Sequence, residues 1–282
     1  MAAGGHPHYL AYLAELGMAD LHPLGRRASD ALIRCLHLRP GDRVLEIGCG
    51  TGATLVRIGL AHAVFLDGLE ALPGMLRMAQ ARLSFQARLR LTGLLGKARL
   101  AQSQVGAPLP VPDETYDRVY TESVLGFQDA AGARTLLAEV FRVLKQGGLY
   151  VANEVVWRKP VSPEAVAAIN AACLADFGLR LASEPPWSVD DWLGLMREVG
   201  FRVISSERLE DQVALGSAPG WSFSVGLLLS EAFTLTQRLK GALSPALRRQ
   251  RARYRRRLRE HRSDGLYIEA RLFVLEKGRN AQ

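Results

Sequence analysis

The stretch RVLEIGCGTGAT, residues 43–54, decides the reading of this chain. Val44, Leu45 and Ile47 make a short apolar run of the kind a buried parallel strand carries. Gly48, Gly50 and Gly52 follow at once, and Ala53 to Gly59 take up a helical pattern. The unit is strand, glycine turn, helix. Glycine permits the tight turn and lets a ligand approach the main chain. The first N–H groups of the helix add a partial positive potential.

Two fingerprints compete for this turn. Gly48, Gly50 and Ala53 formally satisfy GxGxxG/A, the dinucleotide pattern. The phrase LEIGCGTG, with Glu46 two residues before the first glycine, instead resembles motif I of the class I S-adenosylmethionine methyltransferases. A carboxylate at a strand tip suits a ligand bearing an ammonium group and a sulfonium. It suits a pyrophosphate poorly, because like charges would face each other.

Downstream phrases extend the resemblance. LEALPGML, residues 69–76, is similar to the family's VDxSPxML, with Glu70 at the acidic position 18 residues after Gly52. By resemblance, Glu70 accepts bonds from the ribose hydroxyls, with Ala71 and Met75 beside the cofactor. Relatives carry Gly-Asp after the third strand, the Asp on the adenine amino group; here Ser103-Gln104 stands there. The Gln104 carbonyl can accept the same bond without the charge. TYDRVYTESVL, residues 115–125, resembles the approach to the fourth strand, and RVLKQGGLYVANE resembles RVLKPGGxLxxxE before and along the fifth. The Glu122-Ser123-Val124-Leu125 phrase lacks both the Asn/Asp-Pro-Pro-aromatic pattern of base-amine methylases and the Pro-Cys pair of cytosine-C5 enzymes.

Composition sets the remaining bounds. The 282 residues, 48% hydrophobic, suffice for a substantial core. No run of about 18 apolar residues predicts a membrane span, and MAAGGHPHYL does not read as a secretory signal. Cys35, Cys49 and Cys173 are scattered without metal-ligand spacing and read as small buried hydrophobes, so no metal is expected and a reducing cytoplasm is the default. The net charge of +8 is local: residues 238–262 hold eleven Lys/Arg and one Glu, and the remainder carries −2. Mutual repulsion among those cations is uncompensated, and the segment predicts a contact with anionic lipid headgroups.

The resemblance implies a Rossmann-like doubly wound α/β sheet of seven strands, order 3-2-1-4-5-7-6, the last antiparallel, with helical caps. The expected divisions are a helical cap over 1–40, a cofactor core over 41–154, a lid over 155–187, core again over 188–210, a basic helical insertion over 211–264 and a last strand within 265–277. The layout is similar to that of the tocopherol, sterol and quinone methyltransferases. The implied reaction is methyl transfer from S-adenosylmethionine, leaving S-adenosylhomocysteine, to O, N or C of a small, partly apolar acceptor. The implied cofactor residues are Glu46, Gly48, Cys49, Gly50, Gly52, Glu70, Ala71, Met75, Gln104 and Glu122. Candidate bases are His22, Glu122 and Glu154; candidate acceptor contacts are Tyr12, His22, Trp157, Trp187 and Trp221, with Phe177 and Phe223 in the same insertions. The alternatives are an RNA methyltransferase using the arginine helix and a non-catalytic binder of the cofactor.

Overall fold

The computed structural model describes residues 7–88, 98–158, 161–214 and 225–278. Among these, β1 (Arg43–Ile47), β2 (Phe65–Glu70), β3 (Ala98–Gln102), β4 (Tyr116–Glu122), β5 (Leu144–Trp157), β6 (Phe201–Arg208) and β7 (Ile268–Lys277) form one sheet in the order β3-β2-β1-β4-β5-β7-β6. β1 pairs in parallel with β2 and β4, β2 with β3, and β4 with β5. β7 runs antiparallel to both β5 and β6. The expected order and the reversed last strand are therefore present. Strands β1 and β4 are apolar on both sides because helices cover both faces of the sheet.

The fifth strand differs from the sequence reading. Leu149–Ala152 is the expected span, yet β5 runs to Trp157. Its antiparallel partner explains the extension: the ladder continues from Leu149↔Glu276 to Trp157↔Ile268. A backbone pairing of that kind leaves no local signature in the sequence of one strand.

Helices α1 (His8–Glu15) and α2 (Arg26–Cys35) precede the sheet, and α3 (Ala53–Ala61), α4 (Pro73–Arg88) and α5 (Ala130–Val143) are crossovers. α6 (Pro163–Phe177) follows β5, α7 (Val189–Val199) leads into β6, and α8 (Leu209–Ala214), α9 (Val225–Leu243) and α10 (Pro245–Glu260) fill the β6–β7 connection. Ser162, Ser188 and Ser244 cap the starts of α6, α7 and α10 with their side chains.

Two buried devices tie the caps to the core. Arg82 of α4 donates to Thr51 O (2.9 Å), Gly17 O (2.9 Å), Ser230 O (3.2 Å) and Thr234 Oγ1 (3.0 Å). One guanidinium thus joins the glycine turn, the N-terminal cap and α9. Burial pulls its pKa down to about 10. The second is aromatic: Tyr254 of α10 packs on Tyr9, Tyr12 and Phe177, with centroids 4.8, 5.0 and 6.4 Å away.

Candidate functional site

Glu46, Glu70 and Glu122 stand at the carboxyl ends of β1, β2 and β4, where ligands of doubly wound sheets bind. They border a cavity of about 420 Å³ whose wall includes Gly48, Cys49, Gly50, Ala71, Met75, Ser103 and Gln104. The three glycines of the turn have three different reasons. All have positive φ. A Cβ on Gly48 would stand 2.6 Å from a Val124 methyl, and one on Gly52 would stand 3.1 Å from Ala79 Cβ. Those two permit close packing against the β4 loop and α4. A Cβ on Gly50 would meet nothing within 4 Å, so its space opens into the cavity. Gly52 is accordingly absent from the cavity wall, which corrects its assignment as a ligand contact.

Glu70 accepts from Gly50 N (2.7 Å) and Leu72 N (2.8 Å). A carboxylate has roughly four acceptor positions, so capacity remains for two hydroxyls. Burial raises its pKa, opposed by those backbone donors. Glu46 is buried and accepts from Tyr120 Oη at 2.8 Å. Burial, with the nearby Glu122 and Glu70, pushes its pKa well above the ordinary carboxylate range. A cationic ligand relieves that accumulation of acid. These features fit the amino-acid and ribose parts of S-adenosylmethionine.

At the other end, the loop after α1 brings His22 against the β4 tip. His22 Nε2 lies 2.9 Å from Glu122 Oε2, and Ser29 Oγ donates to the same oxygen at 2.8 Å. Thr54 Oγ1 donates to Glu122 Oε1 at 2.7 Å. Burial alone would raise Glu122, but His22 and the two hydroxyls hold its pKa below the usual range. Burial alone would lower His22, yet the Glu122 carboxylate raises it overall. Both shifts describe one ion pair in the cavity wall. The other ring nitrogen, Nδ1, has looser neighbours: Pro23 O and Asn153 Nδ2, each at 3.3 Å.

Several expectations are corrected here. Glu154 is wholly buried and accepts from Thr121 Oγ1 (2.9 Å), Val124 N (3.1 Å) and Gly126 N (3.2 Å). It organises the turn after β4 and does not border the cavity. Glu122 does border it, and His22, Ser29 and Thr54 occupy its oxygens. Tyr12 lies in the aromatic cluster with Tyr254. Trp157 is buried, its Nε1 donating to Ser183 O at 2.7 Å, and Trp187 packs edge-on against Trp192. None of these three lines the cavity, and neither does Phe177. Aromatic content marked the insertions but not their direction of burial. Trp221 and Phe223 lie outside the described residues.

Sequence reasoning missed Ser29, Thr54, Asp20, Leu179 and Arg180. Ser29 has no sequence signal, being 93 residues from the Glu122 it serves. Ser123, which the sequence pairs with Glu122 just past the β4 tip, adopts φ +57°, and its buried Oγ has no partner among the described residues. Such strain gathers at functional sites.

Known proteins agree with this geometry. A family model described as a methyltransferase domain matches residues 44–148. The uncharacterized methyltransferase YodH of Bacillus subtilis is 29% identical over 195 residues, 69% of this chain and 74% of its own. The O-methyltransferase rstn1 of Aspergillus nomiae is 28% identical over 180 residues, 63% of this chain and 72% of its own. The crystal structure of the [4+2]-cyclase SpnF has the same fold, with a TM-score of 0.65 at 20% identity, covering 94% of this chain and 85% of its own. The chain is a class I S-adenosylmethionine-dependent methyltransferase.

Proposed function

We propose that the acceptor is a small, partly apolar molecule carrying an acidic hydroxyl, and that His22 removes its proton as the methyl group is transferred. The observation that carries this reading is the His22–Glu122 pair in the cavity wall. Glu46, Gly50, Glu70 and Gln104 would hold S-adenosylmethionine, which when bound supplies a methyl group already activated on sulfonium. The protein then has to align donor and acceptor, worth about 7–11 kcal/mol of barrier. It must also receive a proton where the nucleophile has one. Glu122 fixes the imidazole with a proton on Nε2, leaving the loosely held Nδ1 as the acceptor atom. Leu10, Leu21, Leu174 and Leu179 supply apolar wall from the caps, and Arg180 adds one cation. The O-methyltransferase relative is consistent with transfer to oxygen.

A screen of extracted metabolites with isotope-labelled S-adenosylmethionine identifies the acceptor. With it, His22→Ala should lower kcat by about 100- to 10,000-fold while cofactor affinity stays within threefold. The acid limb of kcat/KM should titrate above the ordinary histidine value of 6.5, because the ion pair favours imidazolium and only neutral His22 is a base. Glu122→Gln should move that limb to lower pH. An unchanged profile in both variants refutes the assignment.

We also propose that α9 and α10 rest on an anionic bilayer surface. Leu228, Leu235, Leu239 and Leu243 recur at helical spacing on α9 and are all exposed, Leu243 at 81%. Arg238 and Lys240 flank this stripe, and the exposed arginines of α10 follow it. Its opposite side, through Phe233 and Ser230, packs on α4. An apolar stripe edged with cations is the pattern of a helix lying in a membrane interface. No helix among the described residues is long and apolar enough to cross one. Sedimentation with vesicles should require anionic lipid and weaken as salt rises. Equal recovery with neutral vesicles, or tight salt-sensitive binding to RNA instead, overturns this.

A further inference from the structure

Behind the cavity, α6 and the end of α10 bring together four side chains that the sequence keeps about 85 residues apart. The pairs are Cys173-x-x-Asp176 and His261-x-x-Asp264. His261 Nδ1 lies 2.7 Å from Asp264 Oδ2 and 3.6 Å from Cys173 Sγ, and one donor atom from each of the three residues falls within 4.8 Å of the others. His261 Nε2 lies 3.0 Å from Asp176 Oδ2, and Arg257 approaches the other Asp176 oxygen at 3.2 Å. None of the four borders the cofactor cavity, so the cluster is separate from the methyl-transfer site.

The distances can be compared with a tetrahedral site. Bonds of about 2.0–2.1 Å to nitrogen or oxygen and about 2.3 Å to sulfur put ligand atoms roughly 3.3 Å (N to O) and 3.6 Å (S to N) apart. The Cys173–His261 edge already has that length, and the His261–Asp264 edge has to open by roughly half an ångström. Asp264 stands in the short turn after α10, where a side-chain rotation can supply it. Asp176 occupies the place of the carboxylate that receives the second N–H of a metal-bound histidine and fixes its ring. Thiolate, imidazole and carboxylate together select zinc over magnesium or calcium.

We propose that Cys173, His261 and Asp264 bind one zinc ion, with Asp176 orienting His261, and that the ion pins the lid helix α6 to the basic helix α10. Three protein ligands leave a fourth position for water. The ion's role is structural: both helices contact the cap that closes over the cavity, α1. It is independent of the acceptor's identity.

Full-length protein stripped with chelator and dialysed against zinc should take up one equivalent. Cobalt in its place should give a tetrahedral spectrum with a thiolate-to-cobalt band. Cys173→Ser should remove that band and weaken uptake at least about tenfold, and Asp176→Asn should weaken it by about 10- to 100-fold. Asp264→Asn, which preserves shape, should also lose affinity. Hydrogen exchange in α6 and α10 should slow when zinc is added to the parent but not to Cys173→Ser. Equal zinc uptake by Cys173→Ser and parent, or cobalt without the thiolate band, overturns the proposal. His261 would then be an imidazolium held between two aspartates.

Discussion

The two ends of the cavity are built by different means. The cofactor end consists of turns that leave adjacent parallel strands, and its groups are close in sequence to the strands that aim them. Glu70 reaches the glycine turn and Leu72, two residues on, through backbone N–H groups. The other end is assembled from the caps: His22 comes from the loop between α1 and α2, and Leu174 and Leu179 from α6 and the turn beyond it, while Ser29 of α2 supports Glu122 from behind the wall. The His22–Glu122 contact there joins a cap residue to a sheet residue. The part that matches the family model and the caps outside it thus meet in one cavity.

Substitutions at the cofactor end should therefore damage binding without altering acceptor chemistry. The largest expected effect is Gly50→Val. Its branched side chain would project into open cavity at φ +53°, and calorimetry should detect no S-adenosylmethionine binding. Retained binding would mean that the cofactor does not lie against this turn. Next is Glu70→Ala, expected to weaken binding by about 1.5–3 kcal/mol through loss of charge-assisted bonds. A change below threefold would sever Glu70 from the ribose.

A subtler distinction concerns pH. The raised pKa of Glu46 means that protonation competes with a cationic ligand. Cofactor affinity should rise with pH by up to about tenfold per unit until Glu46 is ionised, then level off. Glu46→Gln should flatten that dependence. The smallest expected effect on function belongs to Trp157→Phe. Losing the bond from Nε1 to Ser183 O should cost about 1–3 kcal/mol of stability in denaturant. The Michaelis constants should not move, and a tenfold rise in the acceptor's would return Trp157 to the site.

Legibility followed the same division. Glu46, Gly50 and Glu70 were readable because a strand, a turn and an acid within a few residues of it fix geometry locally. Gly52 was readable as a glycine but misread in purpose, since the demand on it comes from Ala79 on another helix. Glu154 looked like a strand-tip acid available for chemistry, yet the backbone of the β4 turn folds onto it. The aromatic residues misled most: Tyr12 sits in the N-terminal cap, Trp157 ends β5 and Trp187 precedes α7, and each turns toward its neighbours. Burial of a large apolar ring is favourable in any packed direction, so residue type alone carries no information about which direction is taken.

What the sequence by itself determined was the core strands and the glycine turn, because hydrophobic period, glycine and the placement of one acid are short-range constraints; the strand order followed from the family resemblance those motifs carry. What only the tertiary structure decided was everything made by two distant segments. It set His22 on Glu122 across 100 residues, and Cys173 beside His261 across 88. It turned the leucines of α9 outward by placing Phe233 and Ser230 inward. Hydrogen bonds and packing contacts of this kind depend on positions to within a fraction of an ångström, and those positions are set by the whole fold rather than by neighbours in the chain.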